Sequence, residues 1–296
     1  MADNSKQTLP GVAILGVGTM GTGMAHRLLG QNGKVTVYAR RPEKREEFQK
    51  AGAIAADSPS KAVENAEIVI SIVSDDAASR EVWLGSNGAL AALRPGTVSI
   101  ESSTVSPELI TELGKKFAER SREFLDAPVT GSKPQAAAGE LTFLVGGDAA
   151  ALGKAQPVLT LLGRKIAHLG PLGSGARMKL INNMLCAVQA AGLAEVLALS
   201  EKSGLAMDSV LDILNNGAPG SPLVKTLSKR MTDRNYDVNF YLHLMAKDVG
   251  YAIKLSESHA ASHKAADAAL SLLNNAKEKG WSDKDFSSLV EPLRAG

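Results

Sequence analysis

The 296-residue chain has one cysteine, Cys186. A single thiol excludes an intramolecular disulfide and a thiolate metal cluster, and it suits a reducing compartment. Aromatic residues amount to 4% of the chain and the formal net charge is only +2. No basic run interleaved with aromatics exists, so nucleic acid is not expected as a partner. The five histidines, His26, His168, His243, His259 and His263, are scattered. His259 and His263 stand four apart on an expected helix without further ligands, so no metal is expected. No uninterrupted apolar run reaches the roughly 20 residues of a membrane span, and the start from Met1 to Pro10 is polar and lacks an apolar leader core. A cytoplasmic protein with no membrane partner is expected. There is no repeat of fixed period, and the alanine-rich stretch from Ala260 to Ala269 reads as helix rather than low complexity.

Hydrophobic residues make up 44% of the chain and charged residues 22%, ordinary values for a globular enzyme with a large core and room for two domains. In the first half, β-rich runs at Glu67 to Val73, Thr97 to Glu101, Glu123 to Ala127, Leu141 to Gly146 and Lys165 to Leu169 alternate with helical segments. Those segments are Ser58 to Asn65, Ala77 to Leu84, Pro107 to Arg120 and Ala149 to Leu162, each opening near a Ser, Asp or Pro start signal. This rhythm predicts an α/β domain with a doubly wound parallel sheet, spanning residues 1–171. After the glycine-rich Gly170 to Gly175 the strand-like runs stop. A long helix is expected from Ala176 to Ser203, with apolar residues at helical spacing. Further helices at Met207 to Asn215, Pro222 to Met231, Leu242 to Ser258 and Ala260 to Lys279 complete an all-α domain over 172–296. A domain of this kind buries surplus apolar surface by dimerising, so a homodimer or homotetramer is expected.

An apolar strand, Val12 to Leu15, runs straight into Gly16-Val17-Gly18-Thr19-Met20-Gly21. The G-x-G-x-x-G spacing at a first strand is that of a dinucleotide pyrophosphate site. Gly16 permits the tight turn, Gly18 lets the backbone approach phosphate, and Gly21 allows close helix packing. Thr19 and Met20 open the helix whose free amides face the anion. The plain structural alternative is an ordinary strand-to-helix turn. The second strand, Lys34 to Tyr38, ends about twenty residues later, where the adenosine ribose should lie. An NAD-selective chain would carry Asp or Glu there, whereas this one carries Ala39-Arg40-Arg41-Pro42. Two guanidiniums suit a 2′-phosphate, so NADP(H) is the expected cofactor. The alternative is a solvated basic turn ahead of a helix from Pro42 to Lys50.

In the long helix, Lys179 and Asn183 lie four residues apart, on one face and about one turn from each other. A carbonyl accepting hydride needs a proton on its oxygen, which a partly buried lysine can supply while an asparagine fixes the substrate. The competing reading is a snorkelling lysine on an amphipathic helix. Ser102-Ser103-Thr104 follows a strand end, where ligands of open α/β sheets gather, or it caps the helix after Pro107. Val73 and Ser74 end another strand and should line the same crevice.

Gly16 to Gly21, Asp126-Ala127-Pro128-Val129-Thr130-Gly131-Ser132, Leu141 to Gly147 and Lys179-Leu180-Ile181-Asn182-Asn183 together resemble the β-hydroxyacid dehydrogenases over essentially the whole chain. The resemblance implies reversible reduction of a small aldehyde (semialdehyde) carboxylic acid to its hydroxy acid. It implies Lys179 as catalytic acid/base and Asn183 as its companion on the substrate. It also implies a carboxylate cradle at Thr130, Gly131 and Ser132, with Phe240 and Asp248 near the substrate. Lys247, Val73, Ser74 and Thr104 fall beside the cofactor. Where isobutyrate-type members carry a second glycine, this chain has Ser132-Lys133-Pro134, more like the glyoxylate and succinic semialdehyde reductases. Lys133 is either a cation for a second carboxylate or a solvent-facing loop lysine. Imine reductases share the architecture but lack the lysine, and a non-catalytic NADPH-binding module would not need it. A phosphogluconate-type decarboxylating enzyme needs a longer α-domain.

Overall fold

The computed structural model describes residues 9–295, so most of the polar start lies outside the described residues. The chain divides into two compact units, the first ending at Lys179 and the second beginning at Leu180.

In the first unit six strands form an all-parallel sheet: β1 (Val12–Leu15), β2 (Val35–Tyr38), β3 (Ile54–Ala56), β4 (Ile68–Ser71), β5 (Val98–Glu101) and β6 (Glu123–Asp126). Their order is β3-β2-β1-β4-β5-β6. Every residue of β1, β4 and β5 is buried, as expected for central strands covered by helices on both faces. The period of two splits β1 between two cores. Val12 and Ile14 pack with Met24, Val37 and Phe48, while Ala13 and Leu15 pack with Trp83, Leu109 and Phe117. The covering helices are α1 (Thr19–Leu29), α2 (Pro42–Lys50), α3 (Pro59–Val63), α4 (Asp76–Leu84) and α5 (Pro107–Ala118). Ser58, Asp75 and Ser106 cap α3, α4 and α5, each accepting from an amide three residues on. Strand order reverses between β1 and β4, the position where open α/β sheets bind ligands.

Two β-rich runs do not extend this sheet as the sequence rhythm suggests. β7 (Val129–Thr130), β8 (Leu141–Val145) and β9 (Gly163–His168) form a separate three-stranded sheet, β7 antiparallel and β9 parallel to β8. Asp126 bridges Gly146 in antiparallel fashion at the end of β6, which turns β8 against the direction of the main sheet. Between β7 and β8 lies α6 (Lys133–Ala138), a helix that the sequence pattern does not predict. With six residues and only Ala136 buried, it shows no helical period. α7 (Ala149–Leu162) joins β8 to β9.

α8 (Ser174–Lys202) starts in the first unit and continues into the second. By length and composition it could cross a membrane, a property the residue pattern did not suggest because Lys179, Asn182, Asn183, Gln189 and Glu195 interrupt it. Its buried face, with Ala187, Ala190, Ala194 and Leu197, forms the core of the second unit. α9 (Met207–Asn216), α10 (Pro222–Thr232), α11 (Leu242–Ser258), α12 (Lys264–Ala276) and a short α13 (Glu291–Ala295) complete that unit. The core adds Leu227, Met231, Leu242, Met245, Val249 and Leu273. The helix expected from Ala260 instead starts at Lys264. Ala260 has φ +52, and the Ala261 amide closes the end of α11 on the Ser256 carbonyl at 2.9 Å. His259 and His263 therefore flank a break between helices.

Candidate active site

The three motif glycines differ in what surrounds them. Gly16 has φ +110, and a Cβ there would lie 2.4 Å from the Ile72 carbonyl oxygen and 2.9 Å from Val73 Cγ1. A Cβ on Gly21 would lie 2.0 Å from the Gly16 carbonyl oxygen, so α1 seats directly on the turn. Gly18 is exposed and a Cβ on it would meet nothing within 4 Å. It is the N-cap of α1, with no side-chain cap and no acid in the first turn. Thr19 and Met20 are half-buried in that turn. Uncapped amides with positive dipole character facing open space fit a pyrophosphate.

At the end of β2, Arg40 and Arg41 are exposed, and Arg41 is the N-cap of α2. Arg45 on α2 donates from Nη1 to the Ala39 carbonyl at 2.8 Å, holding the turn in place. On the other side of the switch point, the loops after β4 and β5 are fastened together. The Val73 amide donates to Ser103 Oγ at 2.8 Å, and Asp76 accepts from the Ser106 amide and hydroxyl at 2.8 and 2.6 Å. Ser74 donates to Asp75, and Thr104 is half-buried. Under these loops Glu101, fully buried, accepts from Ser79, Trp83 Nε1 and the Ser103 amide. Burial pushes its carboxyl above the ordinary range despite these bonds.

Thr130, Gly131 and Ser132 lead into α6, which packs on α1. Ser132 is its N-cap, and its amide and hydroxyl both donate to Gln135 Oε1, at 2.9 and 2.7 Å. The cradle expected here thus has its serine donors already engaged by Gln135. Lys133 is exposed in the first turn of α6, not in a loop.

Asp126 is completely buried at the end of β6. Its two oxygens accept from the Gly173 and Ala176 amides, each at 2.7 Å, and so anchor the start of α8. A Cβ on Gly175 would lie 2.1 Å from the Leu144 carbonyl oxygen and 3.0 Å from Asp126 Oδ2. Burial raises the Asp126 carboxyl to about 6, opposed by those backbone bonds. Lys179, half-buried, follows one turn after Ala176.

On α8 beyond the unit boundary, Asn183 is buried and donates from Nδ2 to Asp248 Oδ2 at 2.6 Å, while its Oδ1 accepts from Asn182. Asp248, buried on α11, also pairs with Lys247 at 2.9 Å, and the Lys247 ammonium stands 5.0 Å from the Tyr251 ring centre. Asp248 therefore orients Asn183 and Lys247. Phe240 is fixed from below, its amide donating to buried Asp285 at 3.0 Å and its carbonyl accepting from the Phe286 amide. No pattern in the sequence marks Gln135, Glu101 or Asp285 as supports of the site, and Asp126 stands out only as the first residue of the Asp126 to Ser132 motif. Among the described residues no group of three or more His, Cys, Asp or Glu side chains is placed to hold a metal.

Residues 11–170 match the family described as the NAD binding domain of 6-phosphogluconate dehydrogenase. Residues 173–293 match the NAD-binding family of NADP-dependent 3-hydroxyisobutyrate dehydrogenase. The NAD-dependent L-serine dehydrogenase of Pseudomonas aeruginosa is 36% identical over 93% of this chain and 95% of its own. Glyoxylate/succinic semialdehyde reductase 1 of Arabidopsis thaliana is 34% identical over 96% of this chain and 98% of its own. The structure of Mycobacterium tuberculosis 3-hydroxyisobutyrate dehydrogenase with L-serine superposes with a TM-score of 0.88 at 31% identity, over 97% of this chain and 99% of the other. A parallel NAD(P)-binding sheet followed by an all-α unit, matched along its length in this way, makes the chain a member of the β-hydroxyacid dehydrogenase family.

Proposed function

We propose that the protein is an NADP(H)-dependent reductase that interconverts a small aldehyde acid and its hydroxy acid, with Lys179 as general acid/base. The observation that carries this reading is the anchored helix. Asp126 fixes the first turn of α8, and Asp248 fixes the Asn183 amide on the same helix face as Lys179. Preorganised donors of this kind are worth more than mobile ones.

When bound, the dinucleotide supplies or accepts the hydride. Lys179 Nζ gives its proton to the substrate oxygen as that oxygen gains negative charge, and takes it back in the oxidative direction. Asp248 holds one N–H of the Asn183 amide, which leaves the second for the substrate. Thr130 and Gly131 receive the carboxylate, with Ser132 joining if Gln135 releases it. Phe240 gives the substrate an apolar wall. Gly16, Gly18, Thr19, Met20 and Gly21 hold the pyrophosphate. Val73, Ser74, Thr104 and Lys247 serve the nicotinamide end, and Arg40 and Arg41 the 2′-phosphate. Both nicotinamide cofactors occur in the names of relatives and families, so the preference for NADP(H) rests on the two exposed guanidiniums alone. Residues 1–171 then serve the cofactor and 172–296 the substrate and self-association.

Oxidation of NADPH followed with glyoxylate, succinic semialdehyde, tartronate semialdehyde and methylmalonate semialdehyde tests the assignment. At least one of these aldehyde acids should turn over faster than a cyclic imine control. An imine preferred to all four would replace this reading with that of an imine reductase.

A further inference from the structure

Glu101 has no part in the chemistry proposed above, yet it is a carboxyl group buried with 0% exposure at the end of a central strand. An apolar residue would fill that place without the cost of removing a carboxyl group from water. Its hydrogen bonds join α4 to the loop after β5. Ser79 and Trp83 belong to α4, whose N-terminus follows Ser74, and Ser103 immediately precedes Thr104. The amide of Ser103 donates to this carboxyl, and the hydroxyl of the same residue accepts from the Val73 amide. The path from Glu101 to Ser103 to Val73 thus ties the β4 and β5 loops at one point, and Asp76 with Ser106 ties them at another. A fully bonded buried polar network fixes geometry more sharply than apolar packing does.

We infer that Glu101 is a positioning residue for the nicotinamide half of the cofactor, acting through Ser103 on Val73, Ser74 and Thr104. This rests on the dinucleotide reading above. Glu101 orders the two loops before the cofactor arrives, so the nicotinamide end meets a formed surface, while the adenosine end is gripped by separate elements, α1 and the turn after β2.

The test compares ligands with and without the nicotinamide on the full-length chain. Affinities of wild type, Glu101→Gln and Ser103→Ala are measured for NADPH and 2′-phospho-ADP-ribose, with NADH and ADP-ribose as a parallel pair. Loss of the buried hydrogen bond from the Val73 amide should weaken NADPH about three- to tenfold in Ser103→Ala, with 2′-phospho-ADP-ribose unchanged. Glu101→Gln should show the same split. If it fails to fold, Ser103→Ala decides, because that variant keeps the Ser103 amide bond to Glu101. Equal weakening of both ligands, or no weakening of either, overturns the inference and leaves Glu101 a support of the fold. A wild type that prefers NADH moves the comparison to the second pair. A wild type that binds neither dinucleotide overturns the functional reading, and the inference with it.

Discussion

Arg40 and Arg41 stand one helix and one strand beyond the glycine turn, at the end of β2. The structure leaves both side chains exposed at the end of β2, with Arg45 holding the turn beneath them. Each guanidinium bonded to a 2′-phosphate contributes roughly 1.5 to 3 kcal/mol, on the order of tenfold or more in affinity. Replacing both with Ala should therefore weaken NADPH strongly and NADH little, as titration of each reduced cofactor will show. An unchanged NADPH to NADH ratio would remove the basis for the preference. Asp248, which the family resemblance alone puts near the substrate, is 1% exposed and engaged with Asn183 and Lys247.

At the scale of elements, helices with caps and a clear period were readable, and α2 runs from Pro42 to Lys50 as its sequence predicts. The second sheet was not readable, because the bridge between Asp126 and Gly146 that reverses β8 is a pairing across twenty residues. The anchor of α8 was hidden for the same reason, since Asp126 reaches amides 47 and 50 residues further on. That anchor has a pH signature. The folded-state value for Asp126, about 6, lies above the ordinary 3.8, so the folded state binds the proton more tightly. The stabilisation it brings is complete below the unfolded value and is lost as pH rises through about 6, on the order of 3 kcal/mol in all. Asp126→Asn cannot titrate, and one of the two amides loses its acceptor, costing about 1 to 3 kcal/mol. The stability gap between wild type and Asp126→Asn, followed by denaturant unfolding from pH 4 to pH 7, should therefore narrow as pH rises. Glu101 titrates in both proteins and cancels from the difference. A gap that widens with pH would show that Asp126 is stabilised as its anion.

At the scale of the molecule, the two-part organisation was readable from the change in period after Gly175. The apolar residues at helical spacing on the long helix are not all buried within the second unit. Along α8, Ile181, Leu185 and Leu199 remain 49%, 58% and 66% exposed. Rows of large exposed apolar side chains mark association surfaces, and a second copy of the chain is the partner we propose. Sedimentation at micromolar concentration should give at least twice the chain mass for wild type. Leu185→Glu combined with Leu199→Glu should shift it toward the monomer, and a monomeric wild type would exclude self-association through α8.

The central claim is that Lys179 supplies the proton, and its removal is the most direct measurement. General acid catalysis contributes about 10² to 10⁴-fold, so Lys179→Ala should lose turnover of that order on the best aldehyde acid. NADPH affinity and melting temperature should stay close to wild type, and Lys179→Arg should restore little, because a guanidinium does not release its proton. A Lys179→Ala enzyme that binds NADPH, melts normally and keeps more than about a tenth of wild-type turnover would contradict the account, since the proton would then come from water or another side chain.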